Sequence, residues 1–218
     1  MLDNVRVSTD EDAGTGTGDA ATADSPRTSE TSATDPGTGD AARPLPKRRV
    51  LLLALIAPLV LALDVVTKIV AVDALEHEPP VELFGGLLYL SLLRNPGAAW
   101  GMAEGATVIL ALIACGVVGF IIWIARRLRS VGWAIGLGLV LGGALGNLSD
   151  RIFRAPGPLR GHVVDFLSIV EPYGTFFPVF NVADSAISVG GVVIVLMAML
   201  QRDYDGTRIE KKPARKAA

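Results

Sequence analysis

Nine polar residues stand where apolar runs begin or end: Asp64, Asn95, Asn147, Asp150, Arg151, His162, Asp165, Asn181 and Asp184. Two pairs repeat a spacing. Asn147 and Asp150 are three apart, and so are Asn181 and Asp184, which puts each pair on one face of a helical terminus. Between them lies Gly161-His162-Val163-Val164-Asp165-Phe166, an acid embedded in apolar neighbours. Carboxylates at a lipid boundary are expensive and mark functional sites. Two of them a few ångströms apart share one proton, so that one is an acid and the other a base. Such a pair can activate water against a peptide carbonyl while polarising the carbonyl oxygen. Asp184 is one member by this reasoning. Its partner is either Asp150 or Asp165, and spacing alone does not choose.

Other chemistries lack their residues. The chain has no His-Glu-x-x-His zinc helix, no Gly-x-Ser-x-Gly elbow and no serine with a plausible base in the loops. A metal held by Asp150, Asp165, Asp184 and His162 is a minor alternative. Cys115 is the single cysteine, so no disulfide framework can form, and within an apolar run it reads as a small buried residue. Each polar residue also has a purely structural reading. Asp64 with Lys68, four apart, is an intramembrane ion pair. Asp150 with Arg151 is another. Asn147 and Asn181 serve as hydrogen-bonding glue between helices.

The elements that must position these groups are membrane spans. Half of the 218 residues are hydrophobic, and they come in blocks. About twenty helical residues cross a ~30 Å hydrocarbon core. Four runs qualify, at about 50–72, 106–125, 132–148 and 182–200. The third holds Gly138, Gly142 and Gly146 at spacing four, which lets another helix approach closely. Residues 73–104 break the helical pattern with Pro79-Pro80 and Gly85-Gly86. Val81–Phe84 and Leu87–Leu93 read there as short strands, followed by a turn at Arg94-Asn95-Pro96-Gly97. Residues 1–45 are small, polar and acidic and read as a disordered tail; 46–203 form the membrane domain; 204–218 are a basic tail.

Basic clusters at 47–49, 126–129 and 202–216 flank the spans and belong on one side, which makes both termini cytoplasmic. The polar residues then gather on the outer face. Arg151, Arg154 and Arg160 also fall there, against the charge rule. Membrane acids can mark ion paths as well, but the span pairs show no inverted repeat and the acids crowd to one end. A scaffold would not need them.

Five ordered motifs carry a resemblance: Asp64-Val65-Val66-Thr67-Lys68, Arg94–Trp100, Gly142–Arg151, Val163-Val164-Asp165-Phe166 and Phe180-Asn181-Val182-Ala183-Asp184-Ser185. Together they resemble lipoprotein signal peptidase (signal peptidase II) over about residues 50–201. The resemblance implies an all-α integral membrane protein with four transmembrane helices and a small extracytoplasmic β-cradle, built from 73–104. It implies an aspartic endopeptidase of the bacterial plasma membrane that cleaves diacylglyceryl-modified prolipoproteins just before the lipid-bearing cysteine. It assigns the dyad to Asp165 and Asp184, with Asp64, Asn95, Asn147, Asp150, Arg151 and Asn181 as dyad supports or substrate contacts. It implies no metal and no cofactor. The expected partners are prolipoproteins and membrane lipid, not nucleic acid, and the working expectation is a monomer. Pro96 stands where the family most often has Thr, and residues 153–160 lengthen the loop before Asp165.

Overall fold

A computed structural model describes residues 47–97 and 106–208. The expected tail at 1–45, the end of the 73–104 segment with Trp100, and the last basic residues, Lys211 to Lys216, lie outside the described residues. Four long helices dominate: α1 (Val50–Leu75), α2 (Ala106–Ala125), α3 (Val131–Phe153) and α4 (Val182–Met199). Each is long and apolar enough to cross a membrane. Two outlast their apolar runs. α1 continues past Val72 to Leu75, and α3 continues past Leu148 through Ser149-Asp150-Arg151 to Phe153. Asn147 and Asp150 therefore sit within the last two turns of α3, not at its end.

α3 is the central helix. More than half of its membrane window is buried, 56%, against 17–22% for the other three. Its glycines explain the close packing. A side chain at Gly142 would run into Val60 and the Ala57 carbonyl of α1, and one at Gly143 into the Ala183 carbonyl of α4. Leu53, Ala57, Ile121, Ile124, Leu128, Ala134, Leu137 and Leu141 make the apolar core at one end of the bundle. Cys115 departs from the expected burial. It lies on the exposed side of α2, where its surroundings in a bilayer are lipid rather than protein.

The basic ends meet. The Arg49 N–H donates to the Leu128 carbonyl, the Arg129 and Ser130 N–H groups donate to the Tyr204 carbonyl, and Trp133 Nε1 donates to the Arg202 carbonyl.

At the opposite end three antiparallel strands form a sheet in the order β1 (Val81–Leu83), β2 (Leu88–Asn95) and β3 (Val163–Ile169). The two expected strands are present. The third corrects the sequence reading, which confined the cradle to 73–104. β3 comes from the loop before α4, with Val163 to Phe166 all buried. Val164 and Phe166 face α1, packing with Ala71 and Leu75. β3 is held on its other edge by Phe180. The Phe166 and Leu167 N–H groups donate to the Phe180 carbonyl, and the Phe180 N–H returns to the Leu167 carbonyl. This pairing brings the start of α4 beside the middle of β3.

Candidate active site

Asn181 is the N-cap of α4. Its Oδ1 accepts from the Asp184 N–H at 3.0 Å, and Asp184 Oδ2 accepts from the Asn181 N–H at 3.2 Å. The Asn-x-x-Asp spacing is thus a reciprocal capping box, which satisfies two backbone donors that a helix start leaves open. It also fixes Asp184 in the first turn, at the positive end of the α4 dipole.

The same asparagine reaches the other acid. Asn181 Nδ2 lies 2.7 Å from Asp165 Oδ1, and Asn95 Nδ2 lies 2.9 Å from Asp165 Oδ2. Asn95 is itself oriented by the Gly97 N–H, which donates to its Oδ1 at 2.8 Å. The Pro96 carbonyl accepts from the Thr107 hydroxyl. Asp165 is 1% exposed. Burial is the main reason its carboxyl is pushed up to about 7, and the neighbouring Asp184 charge adds to this, against the Asn95 and Asn181 amides and the more distant Lys68. One acid of the pair is thereby poised to keep a proton near neutral pH.

Asp184 receives donors on both oxygens, since Asn147 Nδ2 lies 2.7 Å from its Oδ1. Asn147 Oδ1 accepts in turn from Asn181 Nδ2 at 3.2 Å and Lys68 Nζ at 3.0 Å. The two asparagines do bridge helices, as their structural reading holds, and the groups they bridge to include both acids. Asp150 does not partner Asp184. Its Oδ2 lies 2.8 Å from Lys68 Nζ and accepts from the Val164 N–H, while its Oδ1 pairs with Arg154. Nor does it form an ion pair with Arg151, whose Nη1 donates to the Asn147 carbonyl and whose buried Nε has no hydrogen-bond partner among the described residues.

Lys68 is the residue whose reach the sequence understates. Spacing pairs it with Asp64, and that contact is present at 2.8 Å. The same fully buried ammonium also touches Asp150 and Asn147, so it joins α1 to α3 through two oxygens. Asp64 is equally buried, and its Oδ1 accepts from the Ala183 N–H of α4. The available signal was two acids, Asp64 and Asp150, near the ends of two different spans, which one cation can serve. His162 lies elsewhere, lining a surface cleft with Glu76, Arg94 and Arg154. The 153–160 insert closes on itself: the His162 N–H donates to the Ala155 carbonyl and the Gly161 N–H to the Arg151 carbonyl. A side chain at Gly161 would collide with three backbone carbonyls, so that turn requires glycine.

Known proteins share this arrangement's sequence and fold. The family model described as signal peptidase (SPase) II matches residues 56–200. The lipoprotein signal peptidase of Mycobacterium tuberculosis (strain ATCC 25618 / H37Rv) is 51% identical over 169 residues, 78% of this chain and 81% of that protein. The lipoprotein signal peptidase of Rhodococcus jostii (strain RHA1) is 52% identical over 174 residues, 80% and 85% of the two chains. A bacterial membrane enzyme solved by the in meso method at 1.9 Å resolution superposes with a TM-score of 0.61 at 28% identity, covering 73% of this chain and 99% of its own. Four membrane-length helices, a buried acid beside a capped one, and relatives this similar over this much of the chain lead to one conclusion: the chain belongs to the signal peptidase II family, multi-pass membrane aspartic peptidases that remove signal peptides from prolipoproteins.

Proposed function

We propose that Asp165 and Asp184 are the catalytic dyad and that the substrate is a prolipoprotein whose cysteine already carries a diacylglyceryl group, cut just before that cysteine. The observation that carries this reading is that one residue, Asn181, binds both acids, through its side chain to Asp165 and through its backbone N–H to Asp184. Asp184 carries the negative charge and takes a proton from the attacking water. Asp165 carries the shared proton and polarises the scissile carbonyl, then the pair delivers a proton to the leaving amine. Asn95, Asn147 and Asn181 hold the dyad. Asp64 and Asp150 act one step further out, anchoring α4 and β3 through the Ala183 and Val164 N–H groups. Arg151 Nε, a buried donor without a partner among the described residues, suits a substrate carbonyl.

The site lies at the helix ends opposite the basic cluster, so both termini are cytoplasmic and the dyad faces outward in a bacterial plasma membrane. A lipid-bearing cysteine must remain at the bilayer surface with its chains in hydrocarbon. A dyad on β3 and the mouth of α4 meets such a peptide without drawing the lipid into water.

The purified protein is expected to shift the mobility of a diacylglyceryl-modified prolipoprotein. Asp165→Asn and Asp184→Asn, made singly, are each expected to lower the rate by at least ~10²–10⁴-fold, the range for loss of a positioned acid or base. Near-full activity in either variant would falsify the dyad assignment. A cut placed elsewhere than before the cysteine would refute the substrate assignment.

A further inference from the structure

We infer that Leu93 is a specificity residue for the peptidase reaction, forming the apolar wall against which the substrate side chain next to the scissile bond packs. The inference rests on the dyad reading and begins with strand register. β2 and β3 pair Leu90 with Leu167 and Leu93 with Asp165, so β2 takes three steps where β3 takes two. That extra residue is a β-bulge, a device that re-aims side chains and is frequent beside active sites.

Its effect on phase can be followed along the strand. Residues directly opposite in an antiparallel pair project to the same face, and alternate residues share a face. Leu93 is therefore on the Asp165 side, and so is Asn95, whose amide does reach Asp165. Leu92 and Arg94 project to the other side. Arg94 pairs there with Glu76 just past the end of α1, at 2.6 Å. Without the bulge, strict alternation from Leu90 would set Leu92 opposite Asp165, with Arg94 on the same face, and send Asn95 and Leu93 toward α1. The bulge thus delivers two residues to the dyad face together. One is the amide that holds Asp165. The other is a leucine that is 43% exposed while the acid it faces is 1% exposed.

Directly opposed strand residues have Cβ atoms about 5 Å apart, and neighbouring residues of an extended peptide are about 3.3 Å apart. A carbonyl presented to Asp165 therefore brings the adjacent side chain within contact of Leu93. The ligand chemistry is an apolar peptide side chain, as distinct from the acyl chains of the modified cysteine. Mismatch of a methylene or two in such a contact changes selectivity roughly 10- to 200-fold.

The test uses the full-length protein and lipid-modified prolipoprotein peptides that differ only in the residue preceding the cleaved bond, as Gly, Ala, Leu or Phe. Leu93→Phe is expected to penalise Leu and Phe peptides at least ~10-fold in kcat/KM relative to Gly. Leu93→Gly is expected to shift the same ratio the other way. Because Leu93 is exposed, both variants should fold, and Leu93→Ala gives an intermediate third point. Unchanged ranking within twofold, an equal loss on all four peptides, or a change that follows acyl-chain length instead would overturn the inference. Wild-type cleavage with unchanged variant ranking overturns only the Leu93 assignment, whereas absence of wild-type cleavage removes the peptidase reading beneath it.

Discussion

Asp165 has both oxygens engaged by asparagine amides, yet its carboxyl is pushed up to about 7, because burial outweighs the two donors. A protonated carboxyl can still accept on both oxygens while its hydroxyl hydrogen points to a third partner, which in the dyad reading is the substrate carbonyl. Two consequences follow for pH. Cleavage requires one proton on the pair, so kcat/KM is expected to fall as pH rises through about 7. Asn95→Ala removes a donor that favours the ionised form and should move that falling limb to higher pH. A limb that stays in place, or moves down, would show that another group controls it. Stability carries the same sign. A carboxyl raised in the folded state binds its proton more tightly there than in the unfolded chain. Its contribution is fully present below about 4 and is lost as pH rises toward and through about 7. Asp165→Asn cannot ionise. Whatever its offset from one unmatched amide, its melting temperature in detergent should improve relative to wild type between pH 5 and pH 8. A gap that is constant over that range would contradict the buried, proton-holding Asp165.

Lys68 sets the terms at the level of elements, because α1 and α3 each bring an acid to it and α3 also brings Asn147. Lys68→Met leaves Asp64 buried without its ion-pair partner and Asp150 with Arg154 as its ion-pair partner among the described residues. Breaking a buried pair by removing one partner typically costs about 3–5 kcal/mol. The variant should therefore melt well below wild type, and adding Asp64→Asn should recover part of the loss. A double variant less stable than the single one would mean that the Asp64 contact to Ala183 matters more than its charge. The two acids were each visible in the sequence, and so was the i, i+4 pair, but not the sharing, since nothing local relates residue 68 to residue 150. The spans were legible because an apolar run of membrane length has few other uses. Their ends were less so. Hydropathy stops at Leu148, where Asn147, Ser149 and Asp150 turn inward to protein partners while the helix continues to Phe153. β3 was missed for a related reason. It is buried along Val163 to Phe166, so it lacks the in–out alternation that marks a half-buried strand, and it carries an acid. The two proposed dyad acids were legible as acids out of place, but their pairing came from family motifs; the Phe180 link that brings Asn181 to β3 is tertiary.

Over the whole molecule, charge and function sort to opposite ends. Lys47, Arg48, Arg49, Arg126, Arg127, Arg129 and Arg202 surround the end where the Arg49, Ser130 and Tyr204 backbones are joined. Arg151, Arg154 and Arg160 at the other end looked like an exception to the charge rule, but two of them are engaged by protein groups, Arg154 by Asp150 and Arg151 by the Asn147 carbonyl, as is Arg94 by Glu76. The juxtamembrane cluster outnumbers the arginines at the other end, so the basic end should be cytoplasmic. Exposed positions exist at both ends to test this, Glu78 just beyond α1 and Thr207 beyond α4. In a Cys115→Ala background, Glu78→Cys is expected to react with a membrane-impermeant maleimide in intact cells, and Thr207→Cys only after permeabilisation. The reverse pattern would invert the protein and place the dyad inside the cell. Labelling of both in intact cells would mean that the two ends do not lie across a membrane from each other, and the four helices would then need another explanation for their exposed apolar faces.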